Sequence, residues 1–314
     1  MSFWDSKRVL VTGGNGFLGK WVCRELIHAG VSSEDIIVPS SSSTDLRTFE
    51  NCLSVSKDVD IVIHLAGRDG GLGYNIVHSG SIFYDNAIMN LQMMEAARIS
   101  GVEKFVTAGT VSAYPEKSNI PLTEDDFWNG IPNKDNRAYC MAKKIGAIQS
   151  EAYALEYDFS SVHLLLTNMY GPGDVFTPEK SRVVASMIRK FVDAKKNNDK
   201  EIVMWGTGKA TRELLYVEDA ARAFVLAAEH CKTCNPINVG SGVETSIRDM
   251  AETIANIVGY TGEIIWDDTK PEGQLRRCSD VSRAYDEFGF KANVSIREGL
   301  EKTVEWYCST ISDI

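Results

Sequence analysis

A doubly wound α/β fold is what this sequence predicts, and three observations carry it. From residue 7 to about residue 170, short apolar runs alternate with stretches of helical spacing. The first run closes on a glycine cluster, Gly13-Gly14-Asn15-Gly16-Phe17-Leu18-Gly19. Past Gly171-Pro172-Gly173 the texture shifts to helices separated by short, isolated strands. A βα alternation of this kind implies a parallel sheet covered by helices on both faces. Taken in order, Lys7 to Thr12 is a buried strand stopped by glycine, and Phe17 to Ala29 is the helix that follows. Asp35 to Val38, Val59 to Ala66, Glu103 to Thr110 and Ser161 to Asn168 are the further strands. Phe83 to Ser100 and Ala138 to Tyr157 carry helical periodicity between them, and Ser181 to Lys195 and Ser246 to Gly259 carry it in the second half.

Composition narrows the class. The chain has 314 residues, 44% hydrophobic and 24% charged, which suits a globular protein with a substantial core. A net charge of −10 argues against a nucleic-acid surface, which needs clustered Lys and Arg. The start, Met1-Ser2-Phe3-Trp4-Asp5, lacks a charged-then-apolar signal pattern, and no apolar run reaches the ~20 residues of a membrane span. Seven scattered cysteines fit a reducing compartment better than a disulfide framework, so a cytoplasmic protein without a membrane partner is expected. Cys231-Lys232-Thr233-Cys234 has neither a second pair nor a nearby histidine and reads as a helix end; no metal is expected.

The glycine cluster is suited to a dinucleotide. Gly13 permits a tight turn, Gly16 lets backbone approach a pyrophosphate, and Gly19 lets the helix opened by Phe17 and Leu18 pack on the sheet. Leu65-Ala66-Gly67 should run beneath the two riboses, and Asp45-Leu46 should meet the adenine. An NAD site usually carries Asp or Glu at the end of the second strand; here that place reads Pro39-Ser40-Ser41-Ser42-Ser43. A carboxylate would repel a 2′-phosphate, whereas the hydroxyls and amides of Ser40 and Ser41 would not, and Lys20 and Arg47 are near in sequence. NADP is the expected cofactor, with NAD the alternative. Residues 1–170 are expected to form this Rossmann domain and 171–314 mainly a substrate-binding domain, with some segments free to return to the first.

Tyr139-Cys140-Met141-Ala142-Lys143 places a phenol and an ammonium on one face of a helix turn. The ammonium should favour the phenolate, letting Tyr139 exchange a proton with a sugar hydroxyl near neutral pH. Thr110, at a strand end, can hydrogen-bond the same oxygen. Glycine loop and Tyr-x-x-x-Lys, in this order and about 120 residues apart, read together as a short-chain dehydrogenase/reductase.

The sequence resembles the extended short-chain reductases that act on nucleotide sugars, and the GDP-L-fucose synthases most closely. The resemblance spans nearly the whole chain. Gly13 to Gly19, His64-Leu65-Ala66-Gly67 with Gly70-Gly71, Gly109-Thr110-Val111-Ser112-Ala113-Tyr114-Pro115 and Tyr139 to Lys143 carry its first half. Thr167-Asn168-Met169-Tyr170-Gly171-Pro172, Trp205-Gly206-Thr207-Gly208, Arg212-Glu213, Asn238 to Gly242 and Lys270-Pro271-Glu272-Gly273 carry the second. It implies a nucleotide-sugar pocket, GDP-linked by resemblance, hydride transfer at sugar C4, and a homodimer formed through a four-helix bundle. By analogy Asn168, Arg189, Trp205 and Arg212 would hold the nucleotide and its diphosphate.

Two departures change the expected chemistry. Where the fucose synthases carry the cysteine and histidine of their C3/C5 epimerisation, this chain has Ser112 and Arg182. A serine hydroxyl is too weak a base, and a guanidinium is essentially never neutral, so these two remain as pocket-lining residues while the reductase half is intact. The Asp-Glu pair of the sugar 4,6-dehydratases is replaced by Val111-Ser112. Reduction of a 4-keto sugar, oxidation at C4, and 4-epimerisation on retained NAD all remain compatible, as does a non-catalytic cofactor-binding scaffold, which intact Thr110, Tyr139 and Lys143 argue against. If another residue took over the epimerase role, His78 would be the first candidate.

Overall fold

The computed structural model describes residues 2–178, 180–270 and 275–312. Its elements, in chain order, begin with β1 (Val9–Thr12), α1 (Phe17–His28), β2 (Ile36–Ile37), α2 (Phe49–Ser56), β3 (Ile61–His64), α3 (Gly71–Val77), α4 (Ser79–Ile99), β4 (Lys104–Thr110), α5 (Arg137–Tyr157), β5 (Ser161–Leu166) and β6 (Asn168–Tyr170). They continue with α6 (Val183–Asn197), β7 (Glu201–Trp205), β8 (Thr211–Tyr216), α7 (Val217–His230), β9 (Ile237–Val239), β10 (Glu244–Ser246), α8 (Ile247–Val258), β11 (Glu263–Asp267), α9 (Ser282–Phe288) and α10 (Ile296–Ser312).

Six strands form one all-parallel sheet in the order β2-β1-β3-β4-β5-β9. Apart from the half-buried edge strand β2, the strands are largely buried on both faces, and their alternate residues serve different layers. Val9, Val11, Ile61, Ile63, Val106, Val162 and Leu164 pack with α1 and α7, while Leu10, Val62 and Phe105 pack with residues of α2 and α4. This is the doubly wound arrangement that the alternating pattern predicts.

Three features differ from the expected elements. The strand expected from Ser161 to Asn168 is two strands: β5 belongs to the large sheet, β6 pairs with β8 in another, and Thr167 alone separates them. Thr167 is held at that step by its N–H to Val239 O at 3.1 Å and its hydroxyl to Glu213 O at 3.2 Å. The expected strand at Asp35 to Val38 is reduced to the two residues of β2. α2 falls in a stretch where no helix was anticipated.

The second half contributes to both bodies of the molecule. α7 is alanine-rich, and Ala220, Ala221, Ala223, Phe224, Ala227 and Ala228 are all buried against the large sheet. β9 extends that sheet beside β5, and Ala284 and Phe288 of α9 enter the same core. The remaining elements build a separate core from α6, α8 and α10 with β7 and β8, centred on Ile188, Phe191, Ile254 and Leu300. Pro271, Glu272 and Gly273 of the Lys-Pro-Glu-Gly motif lie outside the described residues.

Candidate active site

The strand order reverses between β1 and β3, and the loops leaving these two strands open a cleft of about 1010 Å³ at their carboxyl ends. The glycine loop forms its floor. Gly13 has φ +70°, and a Cβ there would stand 2.9 Å from the Ala66 nitrogen. A Cβ on Gly19 would stand 2.2 Å from Gly13 O, so α1 packs onto the loop only with glycine at that position. Gly16 is the N-cap of α1 in extended conformation, with bare backbone toward the cleft. Free N–H groups at a helix start, with no side chain over them, fit a dinucleotide pyrophosphate.

Gly13, Gly16, Phe17, Leu18, Gly19, Ser40, Ser41, Asp45, Leu46, Leu65, Ala66 and Gly67 all line this cleft. Thr110, Ser112, Tyr139, Lys143, Asn168 and Arg182 line it as well. Three anticipated residues do not. Arg189 sits on α6 with its charge near Tyr307, Trp205 ends β7 with 65% of its surface exposed, and Arg212 on β8 donates to Thr211 O at 2.7 Å. His78 caps α3 with its ring 4.1 Å from that of Tyr74, away from the cleft lining.

The end of the cleft beside β2 holds a charge network that strand and loop patterns do not reveal. Arg47 grips Asp45 through Nε at 2.9 Å and Nη2 at 2.8 Å, and these hydrogen bonds hold the Asp45 carboxyl at about 2. Arg47 Nη1 also donates to Asp85 Oδ1 at 3.1 Å, and Arg68 Nη1 donates to Asp85 Oδ2 at 2.8 Å. Asp85 on α4 thus ties the loop after β2 to the loop after β3. Ser40 and Ser41 lie on the exposed rim of the same end.

Thr110 ends β4 as the cap of the short turn Val111–Ala113. Its Oγ1 accepts the Ser112 N–H at 3.2 Å, which leaves the hydroxyl proton free to donate into the cleft. Tyr139 is half-buried where it lines the cleft, and desolvation of its phenol, reinforced by the Asp69 carboxylate, pushes its pKa above the usual tyrosine range. Arg182 is the cation that opposes this rise. Lys143 is itself depressed to about 8 by burial, against a smaller upward pull from Asp69. Tyr139 is therefore a protonated phenol at neutral pH.

Ser112 and Arg182 are both engaged with neighbouring groups. Ser112 Oγ accepts from Arg277 Nη1 at 2.9 Å, and Cys140 Sγ donates to Ser112 O at 3.1 Å. Arg182 lies between two carboxylates, with Nη2 3.3 Å from Asp69 Oδ2 and Nη1 3.6 Å from Asp174 Oδ1. Burial works against the charge of this guanidinium, yet Asp174 and Asp69 raise its pKa above the ordinary arginine value. Asp69 and Arg277 were not singled out by sequence. Gly-Arg-Asp-Gly-Gly reads locally as a turn, and the partners of both residues are distant in the chain.

A dinucleotide cradle on a parallel sheet, with Thr110, Tyr139 and Lys143 beside it, defines an extended short-chain dehydrogenase/reductase. The chain belongs to the NAD dependent epimerase/dehydratase family, which it matches over residues 9–240. It is 31% identical over 307 residues to the probable GDP-L-fucose synthase 1 of Oryza sativa subsp. japonica, covering 97% of this chain and 93% of that one. It is 30% identical over 316 residues to the GDP-L-fucose synthase of Escherichia coli (strain K12), covering 96% and 97%. Among solved structures, a GDP-L-fucose synthetase from Naegleria fowleri bound to NADP superposes with a TM-score of 0.90 at 26% identity, covering 99% of this chain and 96% of that one. Among the described residues, no helix is long and apolar enough to cross a membrane.

Proposed function

We propose that this protein reduces a GDP-linked 4-keto sugar at C4 with NADPH, without proton exchange at C3 or C5. The observation that carries this reading is the state of the groups around the reacting position. Tyr139 is held as a protonated phenol, which suits a proton donor, while Ser112 and Arg182 are bound up with Arg277, Asp69 and Asp174. Neither of the latter two can take a proton from carbon.

The residues divide the work as follows. Bound NADPH supplies the hydride to C4. Tyr139 gives its phenolic proton to the C4 oxygen as the carbonyl π bond breaks, so one C–H and one O–H bond form. Thr110 donates a hydrogen bond to the same oxygen, polarising the carbonyl before transfer. The Lys143 ammonium stabilises the phenolate left behind until solvent reprotonates it. Asn168, the first residue of β6, lines the cleft and is assigned to the sugar nucleotide; Arg189, Trp205 and Arg212 would meet the nucleotide outside the cleft as it stands. Ser40, Ser41 and Arg47 are assigned to the 2′-phosphate, a reading supported by the absence of a carboxylate at the end of β2. The protein is further proposed to act as a homodimer through α4 and α5, whose outward faces carry Tyr84, Ile99, Ile148 and Leu155 exposed.

The test is reduction of GDP-4-keto-6-deoxymannose with NADPH in deuterated water, followed by analysis of the product. Consumption of NADPH with no solvent deuterium at C3 or C5 is expected. Deuterium at either carbon overturns the absence of epimerisation. Release of tightly held NADH from the purified protein, seen near 340 nm, would instead assign it to the 4-epimerases.

A further inference from the structure

Asp69 lies two residues beyond Gly67, on the loop that leaves the topological switch, and its carboxylate reaches across the cleft. Oδ1 accepts from Asn75 Nδ2 at 2.8 Å, and Asn75 Nδ2 also reaches Asn136 Oδ1, at 3.1 Å, immediately before α5. Oδ2 faces Arg182 at 3.3 Å, and Arg182 is anchored from behind by Asp174. Asp69 comes from the large sheet and Arg182 from the start of α6, so the pair joins the two walls of the cleft beside Tyr139. Both side chains keep access to it, at 30% and 39% exposure.

We propose that Asp69, partnered by Arg182, is the specificity-determining acceptor for the hydroxyl on C3 of the sugar. This rests on the C4-reductase reading above. In a pyranose ring the reacting C4 has two neighbours, and of these only C3 bears a hydroxyl. A carboxylate standing beside the phenol that addresses the C4 oxygen therefore meets the C3 hydroxyl first. The Asp69–Arg182 contact is longer than the usual 2.7–2.9 Å of a charge-assisted bond, so Oδ2 keeps a lone pair for a sugar O–H. The closeness of Asp69 to the reacting centre is consistent with its carboxylate raising the pKa of both Tyr139 and Lys143. With its oxygens occupied by Asn75, Arg182 and the sugar, Asp69 serves as an acceptor and not as a base toward carbon.

The experiment compares kcat/KM for GDP-4-keto-6-deoxymannose and its 3-deoxy counterpart with NADPH, in wild type, Asp69→Ala and Asp69→Asn. Wild type should prefer the 3-hydroxy substrate by roughly 10- to 100-fold, the loss expected of one hydrogen bond to a charged acceptor. Asp69→Ala should bring the ratio within about threefold of unity, and Asp69→Asn, whose amide oxygen still accepts, should hold an intermediate ratio. The same preference should appear without turnover in the Kd values of GDP-mannose and its 3-deoxy analogue measured by calorimetry. A merely structural role would slow both substrates alike and leave the ratio unchanged, which overturns the assignment. Equal use of both substrates by wild type overturns it too, while leaving the C4-reductase reading in place. Reduction of neither substrate by wild type defeats that reading and the Asp69 assignment with it.

Discussion

Lys143 brings an ammonium into a pocket closed by Gly67 and Asn86: a Cβ on Gly67 would stand 3.5 Å from its Nζ and 3.0 Å from Asn86 Oδ1. Burial there lowers its pKa from 10.5 to about 8, so the folded protein binds this proton less tightly than the unfolded chain. The contribution is therefore destabilising below pH 8, diminishes as pH rises from 8 to 10.5, and vanishes above. Lys143→Met should accordingly make the cofactor-free protein more resistant to urea at pH 7, by about 1–3 kcal/mol, with the difference closing by pH 10.5. The same variant should lose turnover. Tyr139→Phe should lower the reduction rate by roughly 10²–10⁴ while leaving calorimetric NADPH affinity within about threefold; near-normal turnover would remove Tyr139 from the chemistry. Spacing alone makes Thr110, Tyr139 and Lys143 legible in the sequence, because a turn of helix and a strand end are local facts. Asp69 is not legible in that way, since its meaning comes from a guanidinium 113 residues further along the chain.

At the scale of elements, α7 shows what holds the large sheet closed. Phe224 is completely buried among strands of that sheet, and the small alanines on either side let the helix approach closely. Phe224→Ala should destabilise the fold by about 3–5 kcal/mol in urea unfolding, since a cavity opens where the surrounding strands cannot collapse. A loss below 1 kcal/mol would mean that α7 is dispensable to this core. Helical spacing makes α6 and α8 readable from sequence, because each has one continuous apolar face; α4 and α5 are readable from their length, with apolar residues on their inner and outer sides. α2 is only eight residues long and escapes a periodicity argument that needs several turns. The break at Thr167 escapes it as well. Apolar residues continue through β5 and β6, and only the pairing of each strand with a different neighbour distinguishes them.

For the molecule as a whole, α4 and α5 pack along each other while their outer sides remain apolar, with Leu155 at 90% exposure, Tyr84 at 61% and Ile148 at 52%. Exposed apolar groups gathered on one helix pair mark an interaction surface, and two copies would bury them as a four-helix bundle. Light scattering should give twice the 34.7 kDa of the chain. The double variant Ile148→Glu, Leu155→Glu should halve that mass without loss of circular dichroism, and a monomeric wild type would contradict the bundle.

The return of α7, β9 and α9 to the first sheet also constrains how this protein can be re-engineered. The second body is not an appendage that begins at one junction and runs to the end of the chain. It is threaded in pieces, entering at Thr167, interrupted where α7 and β9 go back to the large sheet, and resumed afterwards. A chimera spliced once near residue 170 would carry foreign α7 and β9 against native α1 and β5, mismatching the interior of the cofactor half. Transplanting substrate preference therefore requires crossovers on both sides of each returning segment, chosen so that those segments stay with the parent whose sheet they complete.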